Sequence, residues 1–128
     1  MKKSDAEWKQ ILTPMQFHIT REKGTERPFT GKYWNFFETG SYQCIACKSI
    51  LFRSAVKFES SCGWPSFFEK DSSAQISYTR DTSYGMVRIE VSCAVCGAHL
   101  GHVFDDGPAP TGRRYCINSE SILFIPDK

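Results

Sequence analysis

Val87-Arg88-Ile89-Glu90-Val91-Ser92-Cys93-Ala94-Val95-Cys96-Gly97 is the stretch that decides the fold. Val87, Ile89 and Val91 alternate with Arg88 and Glu90, the period of a strand with one face buried. The strand runs directly into a C-x-x-C turn. A second such turn, Cys44-Ile45-Ala46-Cys47, lies far upstream, with 46 positions between Cys47 and Cys93. Two residues between cysteines let one tight turn present both sulfurs to one ion. Two such turns supply the four thiolates that a tetrahedral zinc takes, about 2.3 Å from the metal. Gly97 is expected to relieve crowding where the backbone folds toward the sulfurs. Cys44, Cys47, Cys93 and Cys96 are therefore read as a closed structural zinc site, one ion per chain, pinning two distant hairpins. A redox C-x-x-C or a pair of disulfides is the other reading, but a redox motif of that kind sits beside a βαβ unit and none is visible.

Further short segments of the same type surround this stretch. Ile50 to Phe52, Ala55 to Phe58, Gln75 to Thr79, Arg114 to Ile117 and Ile122 to Ile125 read as strands, punctuated by Gly, Pro, Ser and Asp. The N-terminal part differs. Ser4-Asp5-Ala6-Glu7 is a capping-box pattern, with Trp8, Ile11 and Leu12 following at helical spacing. Thr13-Pro14-Met15-Gln16 repeats it with Pro14 at the first helical position, and this second helix is expected to stop at Gly24. Thr25 to Gly31 reads as an extended loop, and Tyr33-Trp34-Asn35-Phe36-Phe37 as an aromatic segment wrapping the core. The expectation is a mainly β chain: two antiparallel sheets forming a small sandwich or open barrel under short N-terminal helices.

The 128 residues fit one domain, 1–128, with 1–12 as an N-terminal extension that carries the first helix. Apolar residues make up 41% and the formal charge is +2, too mild for nucleic acid or a membrane surface. No apolar run approaches the roughly 20 residues that span a bilayer, and the charged N-terminus from Met1 to Asp5 is not followed by a signal peptide's apolar stretch. A cytoplasmic protein is expected, in which six cysteines serve as ligands or catalysts rather than staples.

Two cysteines remain. Arg113 and Arg114 precede Cys116 and should favour its thiolate, the nucleophilic form. Cys62 lies in Ser61-Cys62-Gly63-Trp64-Pro65-Ser66-Phe67, a loop able to expose a reactive group. Burial in a strand for Cys116, and packing under Trp64 for Cys62, are equally consistent with local sequence. His99-Leu100-Gly101-His102 offers two imidazoles that titrate near neutrality, as proton donors or as hydrogen-bonded structural groups. His18 reads as structural. Asp105 to Gly112 reads as a loop leading into Cys116, and Glu22 to Arg27 as a solvated charge run.

Taken in order, these segments resemble the methionine-R-sulfoxide reductase family from about Thr13 to Phe124. The carrying residues are Arg21 to Gly31, Cys62-Gly63-Trp64-Pro65-Ser66-Phe67, Cys93 to Cys96, Gly97-Ala98-His99-Leu100-Gly101-His102-Val103-Phe104 and Arg114-Tyr115-Cys116-Ile117-Asn118-Ser119. Ser61 stands where many members carry glycine, which should shift the loop slightly. The resemblance implies two antiparallel sheets and an enzyme that reverses oxidation of methionine. It implies Cys116 as nucleophile and Cys62 as resolving cysteine. It implies His99, His102 and Asn118 as groups that activate the sulfoxide, Arg114 as support for the thiolate, and Trp64 as platform for the substrate methyl. Oxidised proteins or peptides would be substrate and thioredoxin the reductant, the enzyme acting as a monomer. The competing classes are a zinc-binding interaction module without catalysis and a cysteine hydrolase, both of which leave Cys62 idle. A zinc deaminase lacks its H-x-E.

Overall fold

Two reciprocal capping boxes begin the chain. In the computed structural model, which describes residues 4–59, 62–82, 85 and 87–127, Ser4 Oγ accepts from the Glu7 N–H at 3.3 Å while the Glu7 carboxylate accepts from the Ser4 N–H at 2.9 Å. Ser61 and Met1 to Lys3, each read above from sequence, lie outside the described residues. Thr13 and Gln16 repeat the exchange at the second helix. These caps satisfy orphan amides of α1 (Asp5–Ile11) and α2 (Pro14–Arg21). The two helices set Trp8, Leu12 and Phe17 into the core.

The second helix ends at Arg21, not at Gly24. Lys23 takes the left-handed conformation (φ +57°), and the Gly24 N–H turns back to the His18 carbonyl at 3.0 Å. A Cβ on Gly24 would stand 2.4 Å from the His18 ring, so this glycine permits close approach rather than a reversed turn.

Nine strands follow among the described residues: β1 (Gly40–Cys44), β2 (Ile50–Arg53), β3 (Lys57–Phe58), β4 (Ser66–Phe67), β5 (Ile76–Asp81), β6 (Arg88–Cys93), β7 (His99–Phe104), β8 (Arg114–Ile117) and β9 (Ile122–Pro126). They form two antiparallel sheets, β2-β1-β9 and β3-β4-β8-β7-β6-β5. The core lies between them. Phe52 of the small sheet stacks on Phe67 of the large one at 4.3 Å, and Tyr42 meets Phe67 edge-on at 5.2 Å.

The strand expected over Ala55 to Phe58 is broken. Residues Ser54–Val56 form a 3₁₀ turn, and only Lys57 and Phe58 pair. Here the chain leaves the small sheet for the large one, a corner that a continuous strand does not make. The aromatic segment wraps the core only in part. Tyr33 is buried and Phe36 packs on Phe124 at 4.7 Å, but Phe37 is exposed beneath the Lys57 ammonium.

Register sets the chemistry. Glu90 pairs with His102, His102 with Cys116, and Cys116 with Ser66, so these residues share one row across β6, β7, β8 and β4. Directly opposed residues project to the same face, while Val91, Tyr115 and Phe67 turn to the core. Gly101 lets β7 and β8 close: a Cβ there would fall 2.0 Å from the Cys116 carbonyl oxygen. Gly101→Ala is expected to lower stability by about 2–3 kcal/mol, read as a lower urea midpoint.

Candidate active site and metal centre

The two C-x-x-C turns are built alike. In the first, the Cys44 N–H bonds the Ser49 carbonyl and the Lys48 N–H bonds the Cys44 carbonyl, at 2.8 and 2.9 Å. In the second, Cys93 to Ala98 and Gly97 to Cys93 repeat these bonds at 2.8 and 2.7 Å. Gly97 (φ +80°) and Lys48 (φ +67°) occupy the matching left-handed position. Gly97 therefore serves a backbone conformation rather than relief of crowding.

The four sulfurs all lie within 4.8 Å of one another, with Cys44–Cys96 and Cys47–Cys93 each at 3.6 Å. Four thiolates about 2.3 Å from one ion have edges of about 3.8 Å, so the donor set fits a tetrahedral metal. Charge distribution agrees. Hydrogen bonds from Cys44 and Cys96 hold the Cys93 thiol down at about 2, while hydrogen bonds to Cys93 and Cys96 drive the Cys44 thiol up. A divalent cation resolves that conflict by neutralising several thiolates together. Arg21 ties α2 to this centre: its Nη1 donates to the Cys96 carbonyl at 2.9 Å, and its guanidinium lies 4.9 Å from the Trp8 ring.

The other two cysteines meet elsewhere. Cys62 Sγ stands 3.8 Å from Cys116 Sγ and 3.4 Å from Ser66 Oγ, the residue paired with Cys116. The turn after Cys62 is held against β8 by the Ile117 N–H bonding the Pro65 carbonyl at 3.0 Å. Gly63 (φ +90°) leaves no room for a Cβ, which would meet Pro28 at 2.6 Å.

Both sulfurs open on a cavity of about 200 Å³ whose walls include Trp64, His102, Phe104, Arg114 and Asn118. His99 is not among them. It lies behind His102, ring centroids 5.7 Å apart, on a charged cleft that also holds Lys23, Asp81 and Glu90. Each histidine is held by a carboxylate at 2.8 Å: His99 Nδ1 by Glu90, and His102 Nε2 by Asp81. Each carboxylate faces a cation, Lys23 for Glu90 and Arg88 for Asp81, at 3.3 Å. Burial keeps His99 below its ordinary range despite Glu90.

A hydrogen bond with Cys62 and burial together push the Cys116 thiol well above the usual cysteine range. The expected pair of arginines does not prevent this. Arg114 opposes the shift but is bound bidentately by Asp106 at 2.9 and 3.2 Å, and Arg113 points to the Tyr115 hydroxyl at 3.3 Å.

Asn118 is nearly fully committed. Its Oδ1 accepts from the Glu26 N–H and its Nδ2 donates to the Leu100 carbonyl, both at 3.1 Å, which leaves one amide hydrogen. The Glu26 carbonyl in turn accepts from the Trp64 indole at 3.0 Å. Glu26 is thus a residue that sequence reasoning missed. It is buried within a stretch expected to be solvated, its carboxylate accepting from the Glu120 N–H at 3.1 Å. Lys23 in the same stretch reaches the buried Glu90. An isolated acid among charged neighbours gave no signal of burial.

Residues 12–126 match the SelR domain, and the chain belongs to that family. Its relatives are named methionine sulfoxide reductases. The chain is 59% identical over 124 residues to the peptide methionine sulfoxide reductase MsrB of Agrobacterium fabrum, covering 97% of this chain and 92% of that protein. It is 58% identical to the MsrB of Methanosarcina barkeri over 97% of this chain and 87% of the relative. It is 54% identical to the mitochondrial methionine-R-sulfoxide reductase B3 of Mus musculus over 96% of this chain and 49% of that longer protein.

Burial raises the Glu26 carboxyl above the ordinary carboxylate range. Its protonated form is therefore the better folded one, and its contribution to stability is lost as pH climbs through the raised value. Glu26→Gln should be the more stable protein at neutral pH, the gap narrowing as pH falls toward 4.5. Urea titrations of both proteins across that range measure it.

Proposed function

We propose that this chain reduces the R epimer of protein-bound methionine sulfoxide to methionine, with Cys116 as nucleophile and Cys62 as resolving thiol. One observation carries the reading: the two cysteines outside the metal cluster stand 3.8 Å apart at the mouth of one small cavity. An interaction module has no use for that pairing, and a hydrolase needs no second sulfur. Family membership supplies the reaction.

The Cys116 sulfur attacks the sulfoxide sulfur, and the sulfoxide oxygen takes on negative character that requires a proton. The Cys116 thiol has one to lose, since Cys62 and burial hold it protonated at rest. His102, on the cavity wall and oriented by Asp81, passes the proton. His99 acts behind it. The remaining amide hydrogen of Asn118 holds the oxygen, and the positive Arg114 stabilises the thiolate as it forms. Trp64, fixed through its indole N–H, receives the methyl group. Methionine departs and Cys116 is left as a sulfenic acid. The Cys62 thiol condenses with it, releasing water and forming a disulfide. Thioredoxin reduces that disulfide by thiol exchange and is itself oxidised. The S–S bond needs a separation of about 2.0 Å, so the sulfurs close from 3.8 Å by a small movement of the Cys62 turn.

The four-cysteine centre holds zinc in this reading. A closed site of four sulfurs supplies cross-linking rather than chemistry. Six cysteines serving as ligands and catalysts rather than staples suit a reducing compartment such as the cytoplasm. No helix among the described residues is long and apolar enough to cross a membrane. The enzyme acts as a monomer.

Cys116→Ser is expected to abolish even a single turnover on the R epimer. Cys62→Ser should release one methionine per enzyme and then stop with thioredoxin; steady cycling in that variant would contradict its role. Stripping the metal by chelation, verified by elemental analysis, should lower the melting temperature sharply. An unchanged melting curve would remove the structural assignment.

A further inference from the structure

The large sheet has six strands and the small one three. Three strands cannot cover the inner face of six. At the β5-β6 end, residues of the core-facing side remain in contact with water: Tyr78 is 43% exposed, Ile89 38%, and Val87, which leads into β6, 67%. With Val103 and Arg113 they line a groove of about 450 Å³. Arg88 and Phe104 are walls of this groove and also of the cavity that holds Cys116. Groove and cavity open on opposite faces of the sheet and meet around its end at those two side chains, where β6 begins and β7 stops.

A cavity of about 200 Å³ takes one side chain, so the polypeptide that carries it must lie over the rim. Two hollows border that rim. The cleft beyond His102 is walled by Lys23, Asp81 and Glu90, each already engaged in an ion pair. The other is the groove, where Tyr78, Val87, Ile89, Val103 and Phe104 supply apolar wall beside Arg88, Asp105 and Arg113. Large exposed apolar patches on a monomer mark contact sites, and this one shares Arg88 and Phe104 with the reaction cavity.

We propose that the groove is the subsite for the residue neighbouring methionine sulfoxide in a polypeptide, and that it selects an apolar side chain there. This rests on the reductase reading above. Partial burial of one leucine-sized side chain corresponds to about a tenfold gain in kcat/KM.

The test uses dithiothreitol as reductant, so that no protein partner enters. Three substrates are compared: N-acetyl-methionine sulfoxide amide, and two short peptides in which methionine sulfoxide is flanked by leucine or by glycine. Wild type should prefer the leucine peptide about tenfold. The double variant Val87→Ser/Ile89→Ser, altered at exposed positions outside the Cys116 cavity, should lose that preference and turn over the blocked amino acid as wild type does. Equal kcat/KM for the two peptides in wild type would overturn the proposal without need of any variant. So would a preference that survives in the double variant. Sedimentation showing a wild-type dimer that the double variant dissolves would reassign the face to a second copy and also overturn it. Wild type inert on all three substrates would instead bring down the reductase reading itself.

Discussion

The approach of β7 to β8 at Gly101 is the constraint on which the site depends. Backbone oxygen from Cys116 occupies the space where any other residue would put a Cβ. That closeness fixes a register in which His102 lies opposite Cys116 and Glu90 opposite His102. The bulge between Val91 and Ser92 then restores His99 to the face that Glu90 occupies, where the two bond. Antiparallel pairing thus gathers residues from four strands with no dedicated loop to hold them. A one-residue slip would send the whole row to the other face.

Ion pairs around the row form two units in different surroundings. Lys23, Glu90 and His99 form one, and Arg88, Asp81 and His102 the other. In the first, burial opposes charge on Glu90, but hydrogen bonds from His99 and Lys23 hold the carboxyl below its ordinary range. The lysine already balances the carboxylate, so burial can keep His99 neutral. A neutral imidazole that donates Nδ1–H keeps its Nε2 as an acceptor. The second unit reaches the cavity directly, which is why the proton step is assigned to His102. Under that proposal Cys116 brings the proton from the other side, in keeping with a thiol that Cys62 and burial push well above the usual cysteine range.

What the sequence showed follows from locality. Capping boxes, C-x-x-C spacing and alternating strands each report on a few consecutive residues, and Ser4, Thr13, the four clustered cysteines and β6 appear as read. β7 went unread because Gly101 and two histidines interrupt its apolar pattern, and the reason for that glycine lies on another strand. Glu26 was hidden for the same kind of reason: its partners at Asn118 and Glu120 are more than ninety positions away. Arg113 and Arg114 lie three and two positions before Cys116, yet successive residues in a strand point to opposite faces. Only Arg114 could share a side with Cys116, and Asp106 takes part of its charge. Family resemblance named the site residues. Their geometry shows how few free hydrogen-bonding groups they retain.

The two C-x-x-C turns, or knuckles, come one from each sheet and meet at the core. One knuckle closes β1 of the small sheet, and the other joins β6 to β7 of the large sheet. Sulfurs at 3.6 Å between them place the cluster between the sheets, so a metal held there would tie one sheet to the other. Lys48 accepts a left-handed conformation that glycine would take at less cost, which shows the turn being imposed by what it must present. Arg21 adds α2 to the same junction through Cys96. The chain leaves this junction at Ala98 and enters β7 at His99, so the register of the row begins where the sheets meet. Among the described residues, the opposite end of β5 and β6 has no such cluster and no covering strand. The junction of the sheets thus sits where residues meet within hydrogen-bonding distance, and the exposed apolar side chains Tyr78, Val87 and Ile89 sit at the other end of the same two strands.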